Sequence, residues 1–344
     1  MTAQGRRPFT RGRRTVRASL AAALALATLV TLPQAAPAAP PELAPVTVLA
    51  AKLAPNDSVQ RSTSRSRDVT GDAWPDLVAR EPNVNNGTLW VYRHMGNGFN
   101  GTATFASGVS VGTGWNGFNW IGVAEVTGDT ADPELTPEAP GDILARRASD
   151  GALLVYPHSG TFNGTSTFRA PIVAGLGWNG FSELVLADIT ADGFDDILAN
   201  DGSNLWVYPH SRAFNGTSTF LPRVHVRSGS VGWLLASEWH RDAPDLITNF
   251  LATGDMFVSQ HLRDFDGTAT WSQNSTQVAD NLFTGGFVNL LSLVDLNGNG
   301  TDDVIVRSKS GTLIAYPFMG VNGQNTLGEP ATLGTGWQIM DLIT

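Results

Sequence analysis

Three short stretches of the sequence carry oxygen-bearing side chains at the same spacing. They are DVTGDAWPD (Asp68–Asp76), DITADGFDD (Asp188–Asp196) and DLNGNGTDD (Asp295–Asp303). The oxygens fall at positions 1, 3, 5 and 9 of each stretch, on Asp68, Thr70, Asp72, Asp76, Asp188, Thr190, Asp192, Asp196, Asp295, Asn297, Asn299 and Asp303. Because alternate side chains of a tight loop can turn inward, these are the hard ligands that Ca²⁺ prefers. The spacing therefore predicts three calcium-binding loops.

Two other interpretations apply to the same residues. An EF-hand begins in this way but needs a glutamate at position 12, where this chain has Ala79, Ala199 and Val306. The flanking residues have the pattern of strands, so each loop is expected in a β-hairpin. The acids could also cap turns through hydrogen bonds to nearby backbone N–H groups. Three loops in register favour the metal.

Two further loops depart from the pattern. The second has Glu125 and Asp129 but inserts ADPELTPEAPG before Asp142. The fourth, EWHRDAPD from Glu238, is one residue short and places His240 at position 3. We expect these two loops to bind metal weakly or not at all.

The loops recur because the chain is periodic over the range 59–344. Each unit begins with an apolar run that ends in an acid, and the successive acids lie 57, 63, 50 and 57 residues apart, at Asp68, Glu125, Asp188, Glu238 and Asp295. A unit of that length accommodates four short strands, with Gly, Asn and Asp at the junctions. Small sheets of this kind cover their faces by radial stacking. The sequence therefore predicts an all-β fold, a β-propeller of five four-stranded blades.

The end of the sequence predicts how the ring closes. GWQIMDLIT from Gly336 repeats the unit start GWNGFNWIGVAEVTG from Gly114, but the rest of a sixth unit does not follow. We expect Ile339 to Ile343 to supply the inner strand of blade one. An apolar strand left unpaired would expose an edge that invites aggregation.

The first residues have the layout of an export signal. Six arginines precede an apolar run from Ala18 to Leu32, and small residues follow, so residues 1–38 are predicted to be a signal peptide cleaved near Ala38. Residues 39–58, rich in Ala and Pro, are predicted to be a spacer. The mature chain would be secreted, with no membrane span, because no apolar run reaches the ~20 residues of a spanning helix.

Composition narrows the choice of partner. The chain has no cysteine and a net charge of −9, and loss of residues 1–38 removes six arginines and no acid, which gives −15. Such a charge repels the phosphates of nucleic acid and suits cations. With no disulfides available, a secreted chain depends on packing, ring closure or metal for its stability.

The loops, followed by an apolar DL, DI or DV and then by G-x-L-x-x-Y, resemble the FG-GAP and VCBS-type repeats of integrin α-chain propellers and of many exported bacterial proteins. The resemblance extends from roughly residue 60 to the end. It implies a β-propeller in which Ca²⁺ in the blade hairpins is structural rather than catalytic. It leaves the function open, since such repeats occur in adhesion modules, lectin-like propellers and domains appended to enzymes.

A second repeated feature lies at the end of the third strand. His94, His158, His210 and His261 occupy one position, with Phe318 in the fifth unit, which is typical of a packed side chain. The Asn-Gly and Asp-Gly pairs that follow, such as Asn100-Gly101, predict type I′ turns.

Aromatic and amide groups provide an alternative role for the repeats. Trp115-Asn116 and Trp178-Asn179, in the motif GWNGF, together with His94, His158 and His210, could form a stacking platform for a sugar. Trp115, Trp178, Trp233 and Trp337 recur beside glycine, however, as tryptophans that pack between blades would.

These observations favour a non-catalytic binding module, with glycans as the leading ligand class. A protein-binding adhesion propeller is the second possibility, and a propeller-type polysaccharide lyase or hydrolase the third. The sequence has no HExxH, P-loop or cysteine nucleophile. An enzyme would draw its acid and base from different blades, and His225 and His240 are the histidines outside the repeated position.

Overall fold

The computed structural model of the protein describes residues 67–128, 139–229, 232–240, 243–250, 253–280, 282 and 287–344. All of them belong to one compact unit, Leu43–Thr344. The signal peptide and spacer predicted in residues 1–58, the first part of the predicted propeller range, and Asp129 of the second loop lie outside the described residues. Within those residues, no helix is long and apolar enough to cross a membrane.

The described strands form five antiparallel sheets of four strands each, arranged as a ring, so the predicted five-bladed β-propeller is confirmed. Blade one consists of Leu77–Glu81 (β1), Thr88–Tyr92 (β2) and Val109–Gly112 (β3), completed by Leu342–Ile343 (β20). Blade two consists of Phe118–Ala124 (β4), Asp142–Arg147 (β5), Leu153–Tyr156 (β6) and Ile172–Gly175 (β7). Blade three consists of Glu183–Ala187 (β8), Asp196–Asn200 (β9), Asn204–Tyr208 (β10) and Val224–Ser228 (β11).

Blades four and five have the same order of strands. Blade four consists of Trp233–Ser237 (β12), Asp245–Phe250 (β13), Asp255–Ser259 (β14) and Thr276–Ala279 (β15). Blade five consists of Phe287–Val294 (β16), Asp303–Ser308 (β17), Leu313–Tyr316 (β18) and Ala331–Gly334 (β19). In blades two to five the calcium-type loop lies between the first and second strands, whereas in blade one it precedes β1, because the innermost strand of that blade, β20, comes from the end of the chain.

The second strand of each blade is buried on both faces. DILAN in β9 is buried throughout, and DILARR in β5 is buried up to its last residue, Arg147. Neighbouring blades cover the two faces, which explains why these runs are continuously apolar instead of alternating. The core is correspondingly divided into five clusters, one at each junction between blades.

The end of the chain closes the ring, as predicted, although the strand is shorter than expected. Trp337–Ile339 forms a 3-10 helix, and only β20 pairs with β1, through Ile343 opposite Ala79 and Leu342 opposite Arg80. The Arg80 guanidinium also forms a two-fold ion pair with the Asp341 carboxylate, at 2.8 and 2.7 Å. Blade one therefore takes its innermost strand from the opposite end of the repeat array.

The predicted type I′ turns are wrong. Such a turn needs positive φ at both central residues, but Asn100 has φ −125° while Gly101 has φ +53°. The chain enters a 3-10 helix, and the Thr104 hydroxyl accepts the Asn100 N–H (3.0 Å) and donates to the Gly101 carbonyl (2.8 Å). The bond from N–H to hydroxyl recurs in all five blades, on Thr104, Thr167, Thr219, Thr270 and Thr326.

Trp233 does not belong with the other tryptophans that follow glycine. Trp115, Trp178 and Trp337 each begin a 3-10 helix in the linker between two blades. Trp233 instead begins β12, an inner strand, at the position that Glu183 holds in β8. The linker before Trp233 is shorter than the others, so its Gly-Trp pair falls at a different place in the blade.

Candidate functional site

The first acid of each predicted calcium loop caps the turn that follows it. Asp68 accepts N–H groups from Gly71 (2.6 Å), Asp72 (3.2 Å) and Ala73 (2.7 Å). Asp295 accepts the three corresponding N–H groups, and Asp188 accepts two of them, from Asp192 and Gly193. This is the turn-capping role that the sequence left open, and it gives the three loops one backbone shape.

The acid at position 9 connects the loop to the third strand. One carboxylate oxygen of Asp76 accepts the N–H groups of Val69 (3.0 Å) and Thr70 (2.8 Å), and the other accepts the N–H of His94 (2.9 Å). All five blades have such a bridge, made by Asp76, Asp142, Asp196, Asp245 and Asp303, which are fully buried. These aspartates are therefore structural cross-links whether or not metal binds beside them.

The side chains at positions 3 and 5 have different surroundings. The hydroxyls of Thr70 and Thr190 are buried and have no hydrogen-bond partner, as has that of Thr127 in the second loop. At position 5, the Asp72 carboxylate pairs with Arg93 (2.8 Å), and Asp192 pairs with Arg212 in the same way (2.9 Å). In the fifth blade, Asn297 donates its amide to Asp303, and the Asn299 side chain caps Thr301.

Burial raises the pKa of five acids of the three loops and so favours their neutral forms, namely Asp68, Asp76, Asp188, Asp196 and Asp303. Loss of solvent raises the pKa of Asp76 to about 7, the N–H of His94 opposes this shift, and the nearby Asp68 carboxylate adds to it. Burial likewise raises the pKa of Asp188 and of Asp303 to about 7. Among the described residues, no three acidic or histidine side chains converge into a group that could hold a metal by themselves. A cation here would depend on hydroxyl and backbone oxygens as well.

The two irregular loops differ from the other three. In the fourth, the His240 imidazole contacts the bridging carboxylate of Asp245 at 2.8 Å, so a ring nitrogen takes up an oxygen that the predicted metal would use. In the second, Glu125 replaces the first aspartate and accepts the Gly128 N–H (2.6 Å). Its position 5, Asp129, is outside the described residues.

The repeated histidines are buried and bind backbone. His94, His158 and His210 are at most 2% exposed, so none presents its ring to solvent. The Nδ1 atom of His210 accepts the N–H of Arg212 (2.9 Å), which places the proton on Nε2, and Nε2 donates to the carbonyl of Val126 in the preceding blade (3.0 Å). His94 and His261 make the same contact, to Leu296 and Ile189.

Ring stacking completes the surroundings of this position. The His94 ring stacks on Trp74 at 4.6 Å, and the Phe318 ring, which replaces histidine in blade five, stacks on Trp239 at 4.8 Å. Burial lowers the pKa of His94, so its neutral form dominates near neutral pH. The histidines therefore have the packing role that the sequence indicated.

The tryptophans of the Trp-Asn pairs fill the junctions between blades, and the exposed asparagines bind backbone carbonyls. Trp115 and Trp178 are each 6% exposed, and their rings contact Tyr156 and Tyr208 of the following blade at 4.8 and 4.6 Å. The Asn116 amide donates to the Pro82 carbonyl (2.9 Å), and Asn179 donates to Ala148 (3.2 Å). Neither indole has an open face on which a sugar ring could stack.

Three arginines that are not among the candidates predicted from the sequence hold the tryptophan linkers in place. Arg146 donates to the carbonyls of Trp178 (3.1 Å) and Phe181 (2.6 Å). Arg80 and Arg307 make the equivalent bonds to the linkers that begin at Trp115 and Trp337. A repeated arginine near the end of the second strand, as in DLVAR and DILAR, was the available signal.

One cavity lies on the surface at the junction of blades three and four. Its volume is about 430 Å³. It is lined mainly by polar residues of β11 and of the outer hairpin of blade four, namely His225, Arg227, Ser228, Thr268, Gln273 and Ser275. We call it the junction cavity. Among these residues only His225 is a candidate predicted from the sequence.

A serine and a histidine meet at the edge of the junction cavity. The Ser228 hydroxyl lies 3.1 Å from His225 Nε2, and the His225 ring contacts Trp206 edge-on at 5.1 Å. A nucleophilic serine needs a base that a third group orients. None of the described residues forms a hydrogen bond to the other ring nitrogen of His225, so the pair lacks the arrangement of a catalytic triad.

Comparisons with known proteins do not assign the chain to a family. No family model matches the chain, and no curated protein matches it significantly. The resemblance to FG-GAP and VCBS-type repeats therefore depends on the residue pattern alone. Among solved structures, the chain is similar to a lectin of Agrocybe aegerita that recognises non-reducing terminal N-acetylglucosamine, with 17% identity and a TM-score of 0.40. The match covers 76% of this chain and 65% of that one, less than two thirds of its length.

Proposed function

We propose that the protein is an exported, calcium-binding β-propeller that binds glycans as a non-catalytic module. The observation that carries this proposal is the junction cavity. Its volume of about 430 Å³ is in the range of small-ligand sites, roughly 300–1,000 Å³. Hydroxyl, amide and guanidinium groups line it, and these groups exchange hydrogen bonds with the hydroxyls of a sugar. The burial of Trp115 and Trp178 moves the proposed sugar site from the linkers to this cavity.

A glycan array tests the proposal. The purified protein, in Ca²⁺ buffer and again with chelator, should bind a defined class of glycans. Ser275 is exposed and lines the cavity, so Ser275→Tyr should fill it and lower the binding signal by about tenfold or more. Ser107→Tyr, at an exposed site in the corresponding hairpin of blade one, should leave the signal unchanged. A folded protein that binds no glycan on the array would overturn the proposal.

Calcium is proposed for the loops of blades one, three and five, with Asp68, Asp188 and Asp295 as their first ligands. Two observations support it. The donors are hard oxygens, and the hydroxyls of Thr70 and Thr190 at position 3 are buried without a partner, which is unfavourable unless something binds them. Bound Ca²⁺ would supply positive charge beside carboxylates whose pKa values burial has raised.

Calcium removal has a measurable consequence. Saturating Ca²⁺ should raise the melting temperature by about 5 °C or more over that in chelator, because a ligand that binds only the folded state stabilises it. Thr70→Val, which removes the unpartnered hydroxyl at nearly constant volume, should reduce this increase without lowering the melting temperature in chelator. Unchanged melting temperatures together with no Ca²⁺ uptake in calorimetry would contradict calcium binding.

A protein partner is the alternative that one observation favours. Leu262, Met319 and Met95 follow the repeated His or Phe position in blades four, five and one, and they are 51%, 68% and 46% exposed. Apolar side chains at equivalent places of three consecutive blades form an arc suited to a protein surface. This function would be favoured if the protein bound no glycan on the array but captured a purified surface protein, and if Met319→Ser abolished that capture.

A further inference from the structure

The junction between blades three and four is built differently from its neighbours. At the junctions that follow blades one and two, a glycine ends the fourth strand (Gly112, Gly175), and an added Cβ there would lie within 2.6 Å of the linker indole. At the matching register position of blade three the residue is Arg227, paired with Leu205 as Gly112 is paired with Leu89.

The linker and the next blade change together with this arginine. Seven residues lie between Gly112 and Trp120, the first-strand position equivalent to Trp233, whereas only five lie between Arg227 and Trp233, so the linker indole is lost. The tyrosine that this indole would contact, equivalent to Tyr156 of blade two, is Ser259 in blade four. A glycine, a tryptophan and a tyrosine are thus replaced by an arginine and a serine, and the arginine, Arg227, lines the junction cavity.

Arg227 keeps its charge without a carboxylate partner. Its guanidinium donates to the Ser259 hydroxyl (3.2 Å) and to the Ser272 carbonyl (3.0 Å), and no described carboxylate pairs with it. Burial lowers its pKa, and no neighbouring acid opposes that shift. Arg80, Arg93 and Arg212 each form an ion pair with an aspartate. Arg146 also has no carboxylate partner, but it is buried and does not line the junction cavity.

The other residues that line the cavity include no carboxylate that would neutralise the Arg227 charge. Ser228, Thr268, Gln273 and Ser275 contribute neutral hydroxyl and amide groups. A second guanidinium lies close by in sequence, since Arg223 stacks over the Trp206 ring at 4.1 Å. A half-buried cation in a neutral polar cavity is an incomplete ion pair, which an anion of the right size completes.

We propose that the junction cavity binds the carboxylate or sulfate group of an acidic saccharide, with Arg227 as the residue that selects it. This inference rests on the proposed glycan-binding function and specifies the ligand class. Arg227 binds the anionic oxygens, and the neutral groups of the cavity bind the hydroxyls of the same sugar.

Calorimetric titration with four probes tests the inference: galacturonic acid, galactose 6-sulfate, galactose and inorganic sulfate. At least one acidic sugar should bind about tenfold more tightly than galactose, since a charge-assisted hydrogen bond is roughly twice as strong as a neutral one. Arg227→Gln should reduce this difference to less than about twofold, while Arg227→Lys should retain part of it. Arg169→Gln, an exposed arginine of blade two, is the matched control and should change nothing.

The outcomes separate this inference from the function on which it rests. If galactose and both acidic sugars bound equally well, and Ser275→Tyr abolished this binding, the glycan site would be supported and the role of Arg227 overturned. Acid preference that survives Arg227→Gln in a folded variant would overturn it as well. If inorganic sulfate bound as tightly as the acidic sugars, the cavity would be a simple anion site and the selection of a saccharide would be overturned. If no probe bound, both proposals would be overturned.

Discussion

Replacing Asp76 with alanine is expected to lower the free energy of unfolding by about 3 kcal/mol or more, since a buried donor left without a partner costs about 1–3 kcal/mol. The Asp76 carboxylate accepts three backbone N–H groups, from Val69, Thr70 and His94. Alanine would leave all three donors unsatisfied and would detach the loop from the third strand. Denaturant unfolding in chelator measures this effect without a contribution from calcium.

Asp72→Ala is the control for Asp76→Ala. Asp72 belongs to the same loop, but its side chain is partly exposed, caps only the Trp74 N–H (3.1 Å) and pairs with Arg93 at the surface. Its loss should cost less than about 1 kcal/mol in chelator, as is typical of surface ion pairs. Equal costs for the two variants would contradict the bridging role of the position 9 carboxylate.

Replacing Ile343 with aspartate is the second change expected to have a large effect, because it should open the ring. Ile343 is 6% exposed in the cluster between blades five and one, and it pairs with Ala79 across the closing strand. A buried, unpaired carboxylate should cost about 3 kcal/mol or more. Once β20 is displaced, the inner edge of blade one becomes available for association with other chains. We expect a lower unfolding midpoint and oligomers in size-exclusion chromatography with light scattering.

Ile339→Asp provides the comparison for ring opening. Ile339 lies four residues earlier and is 45% exposed, so aspartate there should remain monomeric with nearly unchanged stability. If Ile343→Asp is equally stable and monomeric, the two-residue strand β20 does not hold the ring closed.

The repeat pattern was sufficient to predict the architecture because each blade uses the same residues for the same contacts. Three features of the pattern have a fixed place in a closed ring: the apolar run before the acid, the DILA-type second strand and the incomplete last unit. The hairpin after Asn100 was predicted wrongly because an Asn-Gly pair can form a type I′ turn or precede a 3-10 helix. The hydrogen bonds of the buried Thr104 hydroxyl stabilise the 3-10 helix. The turn propensity of an Asn-Gly pair does not take into account a hydrogen bond from a side chain four residues later in the sequence.

The site was less predictable than the fold. GWNGF suggested a sugar platform because tryptophan and asparagine suit both sugar binding and packing, and only burial distinguishes the two roles. The junction cavity lies at the junction where the pattern fails, with Arg227 in place of a glycine and Ser259 in place of a tyrosine. Each substitution is unremarkable when considered alone. Their combination is meaningful only when the register of two separate blades brings them together at 3.2 Å.

The contacts of the repeated histidines give the ring a direction. In blades one, three and four, a histidine of one blade donates to the loop carbonyl of the blade before it, and each of these blades also carries a loop of its own. Each such unit therefore carries both the donor and the acceptor of the contact between blades. A duplicated unit can accordingly form the same contact with the unit from which it was copied. An array built in this way can grow by copying, and the number of blades is limited by how many units complete a circle.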